Sequence, residues 1–233
     1  SAVSVLDIPY LMPADTAEAQ VLREGPFGDA LLDSFTSKGV VGVAWWPNGM
    51  KNFTSNEPLD DIAAFADQKF RVMDSNILIE QFNALGASAI ALPFGELYTS
   101  LQTGVVDGQE NPLDTIQRMK FFEVQDYLVI SEHGAMEDVV LFNPTWWASL
   151  PADYQVIIND AFDEVVPALI EHKASAVEDA LDAISASEIN IRVASPEERA
   201  AFRDVMYDRS VTAYIERAGD AGQSLIDVYT ANH

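Results

Sequence analysis

Arg71 is the residue whose type and place ask most insistently for a chemical partner. It sits between Phe70 and Val72 in a stretch, KFRVM, that alternates like a strand. A guanidinium there must meet either an internal acid or the anion of a ligand, because an unpaired buried charge is costly and its planar fork fits a carboxylate with two parallel hydrogen bonds. Residue types leave both partners open. Asn111, before Pro112, has the same two-sided character: it can cap a helix over 113–120, or it can offer its amide to a ligand. Phe94, after Pro93, and the pair Trp45-Trp46 fit a core or a ligand platform. His133 closes the stretch YLVISEHG, where it is read as a loop histidine that can line a site.

Other chemistries are harder to find. The three histidines, His133, His172 and His233, stand in no HExxH or His-Cys spacing, and there are no cysteines, so no metal site, disulfide or thiol nucleophile is expected. Asp60-Asp61 and Glu197-Glu198 are adjacent pairs that suit helix starts or a solvated surface. No nucleophile elbow, Walker loop or GxGxxG occurs. No catalytic residue and no cofactor is assigned.

The elements that must position Arg71 and Asn111 alternate in the βα manner, so the expected class is α/β with a mainly parallel sheet covered by helices. VVGVAWW (40–46) reads as a buried strand stopped by Pro47-Asn48-Gly49, and KFRVM (69–73) as a central one. A helix over about 76–85 ends at Gly86, ASAIAL (87–92) is a strand ended by Pro93, and a short helix over 96–103 ends at Gly104. Val105 and Val106 open an extended crossing to Asn111-Pro112, and VVLF (139–142) is a further strand. The periodic segment over about 153–186 predicts a helix close to 50 Å long at about 1.5 Å per residue, with Pro167 bending it. That length suggests a bridge between two lobes. INIRV (189–193) is a strand, Ser195-Pro196-Glu197-Glu198 a capping box, and the remainder to His233 is helical with Gly219 and Gly222 as a break.

With 233 residues, of which 48% are apolar, the chain has ample material for a core. The formal net charge of −24, from 37 acidic and 13 basic residues, argues against nucleic acid or an anionic membrane as partner. No run of about 18 apolar residues is present, so no direct membrane insertion is expected, and any signal peptide is expected to have been removed.

The succession KFRV, then LPFGELYTSLQTGVVDGQENP, then FFEVQDYLVISEHG resembles the extracytoplasmic solute-binding proteins of TRAP transporters, the DctP family. The likeness runs in order from LDIPYLM and VLREGPFG through NPTWWASLP to the long helix. It implies a two-lobed, flytrap-like α/β receptor in the periplasm, which closes on a small organic acid and delivers it to membrane permease subunits. By the same resemblance, Arg71 clamps a ligand carboxylate, Phe94 covers the ligand, Asn111 hydrogen-bonds to it, and His133 lies in a segment typical of the dicarboxylate branch. Lys51, in NGMKNFTSN, stands where many members carry a second arginine, and it would attract a distal carboxylate as a point charge. A four-carbon dicarboxylate is the expected ligand. The implied lobes are 1–48 with 137–176, and 49–136 with 177–233, the first incomplete because the family pattern begins before this chain does. Two other readings compete: an enzyme on a small carboxylic acid with His133 as acid or base, and a ligand-sensing module without transport.

Overall fold

The computed structural model describes residues 2–232. Its centre is one six-stranded sheet in the order β3-β2-β4-β1-β5-β6. The strands are β1 (Val41–Ser55), β2 (Lys69–Val72), β3 (Ser88–Ala91), β4 (Gly108–Pro112), β5 (Tyr127–Phe142) and β6 (Asn190–Val193). β2 pairs in parallel with β3 and β4, and β5 with β6, whereas β1 is antiparallel to both neighbours. The α/β class is as expected, and a single reversed strand makes the sheet mixed.

β1 is also much longer than the sequence suggests. Pro47-Asn48-Gly49 does not end it; the pairing with β5 merely shifts register between Pro47 and Gly49, and again between Lys51 and Phe53. The proline is tolerated because β4 joins β1 only from Lys51 onward, so beside Pro47 the described strands supply no second ladder that needs its N–H. Residues 41–50 of β1 and 134–142 of β5 therefore leave the sheet as a two-stranded ribbon. VVLF is the end of that ribbon, and His133 is inside β5 rather than in a loop.

The helices are α1 (Thr16–Glu24), α2 (Pro26–Ser34), α3 (Asn76–Ala84), α4 (Leu97–Gln102), α5 (Leu113–Arg118), α6 (Pro144–Ser149), α7 (Ala152–Ser185), α8 (Pro196–Ala218) and α9 (Asp220–Asn232). Gly86 and Gly104 take left-handed φ of 80° and 70° where α3 and α4 must stop. The capping box of α8 forms, with the Ser195 and Glu198 side chains each bonded to the other's backbone N–H. Gly219 breaks the C-terminal segment, but Gly222 is inside α9. A Cβ there would stand 2.4 Å from that of Ala218, so this glycine permits close approach of α9 to α8.

α7 spans 34 residues with Pro167 within it. Only its C-terminal part is anchored in the core, through Ala180 and Ile184, while Tyr154, Val156, Ile157 and Val165 are exposed. Three apolar clusters hold the fold. One, with Leu101, Ile116, Phe121, Leu128 and Ile184, lies under α4, α5 and α7. A second stacks Phe53, Phe65, Phe70, Phe82 and Phe202, with edge-to-face contacts such as Phe53 to Phe65 at 5.0 Å. The third joins Phe27, Leu31, Trp45, Tyr214 and Tyr229, so α9 packs with α2, an element of residues 1–48.

Candidate functional site

β4 is buried at every position although its sequence is GQENP. A buried polar strand must satisfy its side chains within the protein, and here successive residues do so on opposite faces. Gln109 stands beside Arg71 of β2 in register, and Asn111 beside Asn52 of β1, whereas Glu110 stands beside Phe53.

Glu110 organises one face. Its Oε1 accepts from Lys51 Nζ at 2.6 Å. Its Oε2 accepts from Gln81 Nε2 at 2.7 Å and lies 2.7 Å from His133 Nε2. His133 Nδ1 is 2.7 Å from the Ser131 hydroxyl, and the ring stacks on Phe53 at 3.7 Å. Both ring nitrogens are thus engaged, in an arrangement that suits a neutral imidazole donating from Nε2 and accepting at Nδ1. Burial opposes ionisation of Glu110, but the Lys51 ammonium and the His133 contact outweigh it and hold the carboxyl well below its ordinary range. Burial depresses the His133 pKa, with the Glu110 bond and charge acting against the shift. Asp7 lies near the same charges and accepts from the Ser75 hydroxyl at 2.6 Å; burial pushes its carboxyl up.

Arg71 has no such closure. Its residue is 4% exposed, and Nε donates to the Leu92 carbonyl at 3.0 Å, but among the described residues no acceptor meets the two terminal nitrogens. Burial lowers its pKa, opposed only by the field of Glu110. Its Cζ lies 5.8 Å from the ring centroid of Phe94, which is 42% exposed and is propped edge-on by Phe121 at 6.0 Å. Phe94 follows β3, Arg71 is near the end of β2, and Asn111 is near the end of β4, so the group stands at the carboxyl ends of three parallel strands. In open α/β sheets that edge, where neighbouring connections diverge, is where ligands bind.

Asn111 does not cap the following helix. Pro112 occupies the cap position of α5 without a side-chain bond, and the Asn111 amide instead donates to Gln109 Oε1 at 2.5 Å. The structure therefore brings Arg71 and Phe94 together, sets Asn111 on the adjacent strand, and places Lys51 and His133 on the Glu110 network. Glu110 and Gln81 were not singled out in the sequence. The cue was available: GQENP continues the strand pattern with polar residues at both parities, which only a network on each face can accommodate.

Residues 1–216 match the family described as bacterial extracellular solute-binding protein, family 7, or DctP. The chain belongs to that family. A TRAP periplasmic solute binding protein from Desulfovibrio salexigens, solved with bound orotic acid, is 60% identical and superposes with a TM-score of 0.97, over 99% of this chain and 74% of its own. One from Shewanella oneidensis with bound succinate is 34% identical, with a TM-score of 0.88 over 98% of this chain and 74% of its own. The C4-dicarboxylate-binding periplasmic protein of Shewanella loihica is 35% identical over 232 residues, 99% of this chain and 68% of that protein. Against its Rhodobacter capsulatus counterpart the chain spans 61% of the relative's length. These relatives are binding proteins, and this DctP-family chain is a periplasmic solute-binding protein with the two-lobed α/β fold, not an enzyme. No described helix is long and apolar enough to cross a membrane.

Proposed function

We propose that the chain is the substrate-binding component of a TRAP transporter, which captures a small organic acid and passes it to membrane permease subunits. The free fork of Arg71 carries this reading: a nearly buried guanidinium with one of its N–H groups on a carbonyl and its terminal nitrogens unpartnered is pre-arranged for a carboxylate. Phe94 supplies an apolar wall beside it. Asn111, with one amide hydrogen held by Gln109, keeps a second donor and its carbonyl for the ligand.

A four-carbon dicarboxylate is the first reading of the ligand, supported by the names of the C4-dicarboxylate-binding relatives and by the succinate-bound structure. A second reading, a flat ring acid resembling orotate, is favoured by the 60% identical structure and by the state of Lys51, whose charge is already met by Glu110. With Arg71 the open cation among the described residues of the site, a single carboxylate suffices, and Phe94 offers a face for a ring. The lobes we propose are 1–48 with 137–176, and 49–136 with 177–233 around Arg71; the Phe27–Tyr229 contact sets α9 of the second against α2 of the first. Closure between them would bury the acid, favoured only when the acid is present.

Calorimetry with succinate, malate, fumarate and orotate tests this directly. A ligand at 100 times its Kd stabilises by about 2.7 kcal/mol, so thermal shifts rank the acids independently. Binding of an acid that disappears in Arg71→Ala supports the proposal; no heat and no shift with any organic acid defeats it.

A further inference from the structure

A cavity of about 200 Å³ lies beneath α7 where the β1–β5 ribbon joins the sheet. None of Arg71, Phe94, Asn111, Lys51 or His133 lines it. We propose that it is a second ligand site, for a small uncharged molecule with an apolar body and one hydrogen-bonding group, and that its occupancy is coupled to movement of the ribbon.

The chemistry of the occupant follows from the lining. Met50, Leu113, Ala135, Ile170 and Val177 give an apolar wall. The charged groups at the cavity are already paired: Arg23 holds Glu137 through Nε at 3.1 Å and a terminal nitrogen at 2.6 Å, and Lys173 holds Asp114 at 2.7 Å and Asn48 at 2.6 Å. Glu132 is bound by Arg199. An ionic guest would have to break one of these pairs, whereas a neutral one would not. The size is adequate, since a dry cavity of about 150 Å³ already accepts a benzene ring. The hydroxyl of Thr16, on α1 at the cavity, is a bonding partner for a single polar group.

The coupling follows from where the walls come from. Pro47, Gly49, Met50 and Asn52 line the cavity, and they flank two of the three register shifts in the β1–β5 pairing, at Pro47/Gly49 and Lys51/Phe53. Glu132 lines it too, and this non-glycine residue has φ of 48° at the irregular stretch of β5. Such strain persists only where surrounding structure imposes it, and it is typical of segments with alternative arrangements. A molecule wedged against these residues and against Ile170 and Val177 of α7 has different contacts whenever ribbon and helix move apart, which is the condition for coupling between two sites.

The test uses the full chain and a fluorinated benzyl alcohol followed by fluorine NMR. Saturable broadening of the probe signal, lost in Ala174→Trp at the cavity rim, is the expected result; Ala174 is exposed, so the variant should retain the parent circular dichroism. In Ile170→Trp the same loss is expected. Saturating probe should also change the Kd of the bound organic acid several-fold, with the reciprocal change in probe affinity. Absence of saturable binding, or binding unchanged in both variants, overturns the site; probe binding with acid Kd unchanged overturns the coupling. The probe arm needs no acid, so failure of acid binding would count against the transport reading alone.

Discussion

The two faces of β4 carry neighbouring residues, Glu110 and Asn111, into opposite kinds of polar environment. On one face Lys51, Glu110, His133, Gln81 and Ser131 form a set in which each charge has its counter-charge or hydrogen bond, although Gln81 Oε1 is left without a partner among the described residues. On the other, Arg71 is as buried as Lys51 in practice but its fork is left open, with an exposed aromatic ring beside it. Burial and charge are shared by the two regions; pairing of the charge is not. A polar cluster whose charges are met internally belongs to the fold, and a buried charge left open is arranged for something outside the chain.

The largest effect should come from removing the hub of the charge-paired face. Glu110→Ala leaves the Lys51 ammonium buried without its counter-charge, and breaking a buried pair in this way costs about 3–5 kcal/mol. Urea unfolding should show that loss as a lower midpoint with an unchanged slope. A loss under about 1 kcal/mol, no larger than an exposed pair contributes, would mean that the charges are not paired as described. Arg71→Ala should reverse the pattern, with stability little changed and organic-acid affinity reduced by about 2–5 kcal/mol, because the carboxylate then enters the site unpaired. Lys51→Met supplies the sharpest contrast: it should cost stability, like Glu110→Ala, and should cost a ring monocarboxylate little affinity. If Lys51→Met instead weakens succinate as severely as Arg71→Ala does, Lys51 leaves Glu110 for the ligand, and the dicarboxylate reading gains.

Phe94→Ala is expected to matter less. The residue is 42% exposed, so the fold loses little, and a cation–π contact of this kind contributes about 0.5–1 kcal/mol at exposed sites and more when a ligand excludes water. Calorimetry should find orotate weakened more than succinate, since a flat ring uses the aromatic face and a flexible chain does not. Equal weakening would remove the wall from the account of selectivity.

Much of this was legible in the residues themselves. Glycines with positive φ, the capping box and the long periodic helix are local devices, and each is where the sequence puts it. Arg71 stood out because a guanidinium between Phe70 and Val72 has few innocent explanations. What stayed hidden depends on pairing across the chain. Pro47-Asn48-Gly49 reads as a stop by composition, yet β5 continues the ladder past it. Asn111 has the right type and position for a helix cap, but β1 pairs with β4 through Pro112, so Asn111 is held in the strand. Lys51 and Glu110 are 59 positions apart, and no local pattern joins them.

The smallest expected effect is at Asp7, and it distinguishes the charge-paired cluster by sign. The folded pKa of Glu110 is depressed, so its contribution is present above the ordinary carboxylate range and is lost only as pH falls through its lower folded value. The folded pKa of His133 is also depressed; below about 6.5 the unfolded chain takes up a proton that the folded one refuses, so stability again falls with acid. Asp7 is opposite. Its folded pKa is raised by burial, so the folded state holds a proton that the unfolded chain has released, and stability is lost as pH rises from the ordinary carboxylate value through the folded one. Asp7→Asn can keep an oxygen for the Ser75 hydroxyl while removing the buried charge. Unfolding free energies measured from pH 4 to 8 should therefore show the variant more stable than the parent at neutral pH, by under about 1 kcal/mol, with the difference shrinking toward pH 4. A variant less stable at neutral pH would mean that the Asp7 charge is compensated by Lys51, making it a working member of the charge-paired set.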